Sequence, residues 1–377
     1  MPASFRSLLW PLALAALAAV LFSTRFSREM VDFEVYQRAA ARAADGQPLY
    51  RASDGHYQFK YLPAFALAMR PFARMDPMLA KAIWFGLSIG FLGMLLRWSV
   101  RGLPERRRTE RALLWITFLL MAKFYAHELT LGQSNLLLGA LLVGALLAVQ
   151  IDQPIAAGVL IGLAAFVKPY ALILLPWLGI SFGVVPVAGS LVVLGLGLLL
   201  PTVAYGWSGN AALLAQWWRT VADSTPANLL GADNISLAAM WAKWLGVGSA
   251  ASGLTSVIAL ALVIVAGVIW LDRARVSSPE YLEVALLMLL VPLLSPQGWD
   301  YMLLLATPAV MLIVDRWRDL DRAWKVVAGV SLVLMCLTLF DLMGRTLYGR
   351  FMALSIVSVA AIGVALVLAR LRWQQLA

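Results

Sequence analysis

The sequence predicts an all-α polytopic membrane protein: a bundle of about 12 transmembrane helices at ~20 residues per span, with a juxtamembrane helical loop on the extracytoplasmic side after the first span. Three observations carry this. Hydrophobic residues fill 62% of the 377 positions and charged residues 13%, where an ordinary soluble domain is about a quarter charged. Mean hydropathy is +0.82. The net charge of +10 comes from basic residues clustered in short stretches between apolar runs, which suits cytoplasmic loops and anionic headgroups rather than nucleic acid.

The first span is expected from about Leu8 to Phe22, retained because no small-residue cleavage site follows it. A polar island follows, the first extracytoplasmic loop (23–77). Within it Phe33 to Ala44 reads as a helix with Asp32 as N-cap and Gly46 as stop. Phe59 to Phe72 is apolar, broken by prolines and too short to span, and is read as a helix lying on the membrane surface. The second span, Met78 to Trp98, ends in Arg97, Arg101, Arg106, Arg107, Arg108 and Arg111, which marks the cytoplasmic side. Spans three and four, Ala112–Tyr125 and Asn135–Ala148, are joined by a polar loop from His127 to Ser134. Spans five and six, Ile155–Val167 and Tyr170–Phe182, meet at Lys168. A seventh, Val187–Tyr205, leads into a second long extracytoplasmic loop (206–248). The remaining spans alternate so that 271–275, 316–325 and 370–372 fall on the cytoplasmic side with both termini, and 295–300 and 341–350 on the other. The chain reads as a single integral-membrane domain over 1–377.

Chemistry is sought among polar groups that the membrane would not tolerate idle. Asp32 heads the list, as a helix cap or a general base. Glu34 faces away from it on a helix, so the two make a poor carboxylate pair, whereas Tyr36 shares its face. Lys168 stands between two apolar runs, where it either snorkels or meets an anion. His127, Glu128, Gln133 and Asn135 cluster between two spans. Arg219 after Trp217-Trp218, and Lys243 between Trp241 and Trp244, have the make-up of headgroup-depth anchors or phosphate ligands. Asp300 after Trp299 is another acid at the membrane edge, an anchor or a site residue, and Asp233-Asn234-Ile235-Ser236 is either ordinary loop or able to read sugar hydroxyls. Cys336 is the only cysteine, so no intrachain disulfide forms, and with His56 and His127 it makes no thiol-based metal site.

The segments Asp32-Phe33-x-Val35-Tyr36, Leu49-Tyr50, Phe59-x-Tyr61-x-Pro63, Gly132-Gln133-x-Asn135-Leu136, Lys168-Pro169, Asn234-x-Ser236 and Ser295-Pro296-x-x-Trp299-Asp300 resemble, in order, the signature of glycosyltransferase family 87. That resemblance implies a GT-C-type membrane bundle and transfer of a sugar from a polyprenyl-phosphate donor, mannose foremost. It implies a lipid or glycan acceptor and a first-loop aspartate, here Asp32, as base. Two departures bear on specificity: Lys60-Tyr61-Leu62-Pro63 replaces the commoner aromatic-proline-proline ending, and Tyr301 stands where many relatives carry a histidine.

The expected reaction is inverting, in the extracytoplasmic leaflet of a bacterial inner membrane, without a cofactor. Lys168, Lys60, His127 and Arg219 are the candidate ligands of the donor phosphate. Glu34, Tyr36, Gln133, Asn135, Asn234, Ser236, Trp299 and Asp300 are candidates for holding substrate. No metal site is expected, with Asp32 paired to Glu34 or Asp300 the alternative. The competing classes are a transporter or flippase of lipid-linked or small solutes, and a non-enzymatic envelope scaffold.

Overall fold

The structure is a computed structural model that describes residues 16–376. Among these, helices and turns make up the architecture, with an isolated antiparallel bridge between Asn234 and Trp299. Residues 16–24 are helical, and the remainder of the expected first span, 8–15, lies outside the described residues.

The helices are α1 (Val31–Ala44), α2 (Pro63–Ala68), α3 (Pro77–Gly102), α4 (Glu110–Leu131), α5 (Asn135–Gln150), α6 (Pro154–Val167), α7 (Leu174–Phe182), α8 (Val184–Leu199), α9 (Thr202–Leu229), α10 (Leu237–Leu245), α11 (Ser249–Leu271), α12 (Glu280–Leu294), α13 (Thr307–Asp315), α14 (Arg322–Cys336), α15 (Phe340–Ala353) and α16 (Ile356–Leu376). Four of them, α3, α4, α11 and α16, are long and apolar enough to cross a membrane, and counting the bent pairs α8–α9 and α14–α15 as one span each raises the number to six. The shorter apolar helices α5 and α6, and the stretch Pro169–Phe182, fall below that length.

Hydrophobicity sorts these helices by depth. α12 is buried from Tyr281 to Leu293 except at Leu287, its Glu283 paired with Arg372 at 3.5 Å, and α13 is buried throughout. They are the centre of the bundle. α11 is apolar, with mean hydropathy 2.7, yet only 11% of its most apolar stretch is buried. A helix that is apolar all round and uncovered by protein needs an apolar solvent, which places the bundle in a membrane.

The two ends of the bundle differ. At one, the basic loops interlock. The Arg107 and Arg108 backbone N–H groups donate to Asp315 at 3.0 and 2.9 Å, Arg107 pairs with Asp319 at 2.6 Å, Arg316 donates to the Pro104 carbonyl at 2.9 Å and Arg370 pairs with Asp321 at 3.2 Å. At the other end lie α1, the 127–134 junction, Lys168 and the 231–236 and 295–301 turns. The expected partition of basic loops from the remaining polar groups therefore holds as geometry.

Four local expectations are corrected. α1 begins at Val31, so Asp32 is inside its first turn and not its cap. Met30 takes the cap position in the left-handed region (φ 39), and no side chain caps the helix. The Met30 N–H instead donates to the Thr130 carbonyl at 2.7 Å, a tertiary bond that replaces the local one. His127 and Glu128 belong to the last turn of α4, not to a loop. Residues 206–248 are mostly helical rather than loop: α9 bends by 92° from α8 and is kinked at Gly206 (φ 68, ψ 176), and α10 follows. Likewise 341–350 lies in α15. Finally, Phe59–Phe72 is not a continuous surface helix. Pro63 and Pro71 reduce it to α2 and the turn Arg70–Phe72, and Ala64, Phe65 and Ala66 are buried in protein. Phe65 stacks on Tyr61 with ring centroids 4.6 Å apart.

Candidate active site

The local fold that sets the site begins at Gly132. It closes α4 in the left-handed region (φ +69), and a Cβ there would lie 2.8 Å from the Phe33 Cβ. Glycine is required on both counts. Its carbonyl accepts from Trp84 Nε1 at 2.9 Å. With the Met30–Thr130 bond, this fastens the start of α1 against the end of α4. Asp32, one residue into α1, then faces Gln133, one residue past the glycine.

Asp32 Oδ2 accepts from Gln133 Nε2 at 2.8 Å. Gln133 Oε1 lies 3.0 Å from both the Tyr36 and the Tyr61 hydroxyl. Those hydroxyls are 2.6 Å apart, and Ser134 Oγ donates to Tyr61 at 3.3 Å. Asp32 Oδ1 has no partner among the described residues. Asp32 lines a cavity of about 660 Å³ whose walls come from α1, the 56–61 segment, the 127–133 junction, 167–170, α9 and the 297–301 turn.

Two cations line the same cavity. Lys168 precedes Pro169, which disfavours helix at the residue before it. Its backbone is extended (φ −149, ψ 126), and α6 stops at Val167. Lys168 Nζ lies 5.9 Å from the Tyr301 ring centroid. Neither it nor Lys60 Nζ has a hydrogen-bond or ion-pair partner among the described residues. Burial is the largest influence on all three groups. It raises the Asp32 pKa, against the Gln133 hydrogen bond and the charges of Lys168, His56 and Lys60. It pulls the Lys168 ammonium down to about 8, against Glu128 and Asp32, and lowers Lys60, against Asp32. A half-buried acid and two half-buried amines thus share one cavity, each with its charged form disfavoured by burial.

The opposite wall is a stitched turn. Ile235 N donates to the Gly298 carbonyl at 2.7 Å and Asp300 N to the Asp233 carbonyl at 2.9 Å. His127 Nδ1 stands 3.2 Å from Asp300 Oδ1, with its ring 5.2 Å from that of Tyr301. Asp300 is behind this wall, and His127, Asp233, Trp299 and Tyr301 present it to the cavity.

Other expected residues fall elsewhere. Glu128, buried in α4, accepts from the Asn135 N–H at 2.5 Å, from Asn135 Nδ2 at 2.7 Å and from the Leu136 N–H at 3.1 Å. Glu128 and Asn135 thus cap α5 from the neighbouring helix, off the cavity. Asn234 is fully buried and donates to the Asn228 and Pro296 carbonyls, each at 3.1 Å. Ser236 caps α10. Glu34 pairs with Lys81 at 2.6 Å. Lys243 holds the Asn234 carbonyl at 2.8 Å. Arg219 is exposed on α9, where Trp217 and Trp218 line the cavity in its place.

Sequence reasoning did not select Tyr61, His56 or Tyr301 as site residues, and weighed Asp233 only as part of a polar loop. Tyr61 stands inside a quoted motif and Tyr301 directly after one; His56 carries no local signal.

The model of glycosyltransferase family 87 matches residues 59–296. The chain belongs to this family. A family-87 glycosyltransferase works on a sugar donor and an acceptor. The match spans Lys60, His127, Gln133, Lys168 and Asp233, and begins after Asp32 and ends before Trp299 and Asp300. Asp32 and Trp299 line the cavity all the same, and Asp300 backs its wall through His127. No curated protein and no solved structure matches the chain.

Proposed function

We propose that this glycosyltransferase moves a sugar, mannose foremost, from a polyprenyl-phosphate donor to a lipid or glycan acceptor, with inversion, on the extracytoplasmic side of a bacterial inner membrane. One observation carries the reading: a half-buried carboxylate with one oxygen tied down, lining a cavity with two lysines that have no partner among the described residues.

In the proposed step the acceptor hydroxyl oxygen attacks the anomeric carbon and its proton passes to Asp32 Oδ1. The bond from that carbon to the phosphate oxygen breaks on the opposite face, and its electron pair stays with the polyprenyl phosphate. The charge that develops there is met by Lys168 and Lys60, more strongly in the transition state than before it. Trp217, Trp218 and Trp299 offer apolar faces for a sugar ring. The GT-C-type topology of about 12 spans is part of the proposal, the shorter apolar helices each counting as a span beside the longer ones. The donor's tail stays in the bilayer at ~0.8 kcal/mol per buried methylene and reaches the cavity laterally.

The test is transfer of radiolabelled mannose from polyprenyl-phosphate-mannose to membrane acceptors by wild type and Asp32→Asn at matched expression. The amide keeps the size and cannot take the proton. A loss of about 10²–10⁴-fold is expected. Full activity in the variant would remove Asp32 as the base.

A further inference from the structure

We propose that Gln133 is a positioning residue: it holds Asp32 by one oxygen, favours its ionised form and leaves the other oxygen to the acceptor, rather than binding sugar itself. This rests on the reading of Asp32 as base.

The argument is a count of donors and acceptors. An ionised carboxylate only accepts, so the amide must turn Nε2 toward Asp32, 2.8 Å away. Oε1 then points at Tyr36 and Tyr61, both at 3.0 Å. The Tyr36, Tyr61 and Gln133 oxygens form a triangle supplied with two phenolic protons, and Ser134 adds a third proton at Tyr61. With the amide flipped, an ionised Asp32 would face the Gln133 oxygen as a second acceptor across 2.8 Å. For the charged base the network therefore sets Nε2 toward the carboxylate and Oε1 toward the tyrosines. Protein groups occupy the Gln133 oxygen on both sides and one of its N–H bonds, which leaves a single N–H for anything else.

The backbone agrees. Gln133 is 8% exposed, follows the required glycine, and its own N–H donates to the Glu128 carbonyl at 3.1 Å. Among the influences that favour the charged form of Asp32, this hydrogen bond outranks Lys168, His56 and Lys60.

The experiment uses the full chain in detergent and two variants. Gln133→Leu removes the donor. Gln133→Glu keeps the shape and an oxygen toward the tyrosines but sets a second carboxyl beside Asp32, and such a pair shares a proton. The infrared C=O band of the protonated carboxyl that Asp32→Asn abolishes is titrated with no substrate present, and kcat/KM is followed against pH. In Gln133→Leu both the band and the acid limb are expected to move up by about one to two pH units, the ordinary worth of a hydrogen bond to a charged group, and in Gln133→Glu by at least as much. A band that stays put in both variants overturns the proposal. So does a raised KM with unchanged kcat and an unmoved acid limb, which would make Gln133 a substrate ligand. A shifted band together with full transfer by Asp32→Asn would keep the Gln133–Asp32 coupling and discard Asp32 as the base.

Discussion

Lys168 shows what a single residue can reveal in an apolar sequence. An ammonium between two hydrophobic runs is conspicuous because the membrane penalises it, and the structure places it in the cavity with Asp32. Only the protonated amine can meet the proposed donor phosphate. Since burial holds its pKa at about 8, kcat/KM is expected to fall as pH rises through that value. With Asp32 as the proposed base, activity is expected to fall at the acid side as Asp32, its pKa raised by burial, protonates. Lys168→Met should abolish the alkaline limb and lower kcat about a hundredfold or more, as loss of a transition-state donor does; Lys168→Arg should restore part of the rate and push the limb beyond the measurable range. An alkaline limb unchanged in Lys168→Met would assign it to another group. Asp32 and Lys168 were legible in this way. The role of Gln133 was not, because an amide next to a turn has many possible partners and the actual one is 101 residues away. The Glu34–Lys81 pair escaped for the same reason.

At the level of elements, the junction of α4 and α5 carries the site. The sequence marks it only as polar residues around a glycine. The positive φ of Gly132, the packing of Phe33 on it and the capping of α5 by Glu128 are tertiary facts. They explain why a stretch that looks like loop continues as helix to Leu131: the carbonyls of its last turn have partners, and Glu128 satisfies the N-terminal donors of the next helix. Gly132→Ala is expected to destabilise the protein by about 2–4 kcal/mol, combining left-handed strain with overpacking against Phe33. It should also reduce transfer, since Asp32 and Gln133 stand on either side of the strained contact. Thermal unfolding in detergent checks the first and the transfer assay the second. α2 shows the opposite lesson: its apolar composition suggested a surface helix, but composition alone does not say whether lipid or protein covers a side chain. Here Tyr61 and its neighbours cover Phe65.

Across the whole molecule, the separation of basic loops from the other polar groups was readable from charge clustering, and the structure brings each set together at its own end. Span number was less readable, because α5, α6 and the 169–182 stretch are shorter than a bilayer and their place depends on what packs around them. The orientation is testable with the protein nearly as it stands. Cys336 is buried, so in a Cys336→Ala background Gln58→Cys and Arg106→Cys can be labelled one at a time with an impermeant maleimide in sealed spheroplasts. Gln58→Cys should react at once and Arg106→Cys only after permeabilisation; the reverse order would invert the proposed topology. The bond between Asp32 and Gln133 also bears on synthesis. At roughly 5–20 residues per second, the ribosome delivers the carboxylate roughly 5–20 s before its amide partner exists. The opposite wall, at 297–301, comes later still. The carboxylate and Lys60 thus emerge before the amide, Lys168 follows it, and the aromatic wall of Trp299 and Tyr301 completes the cavity last.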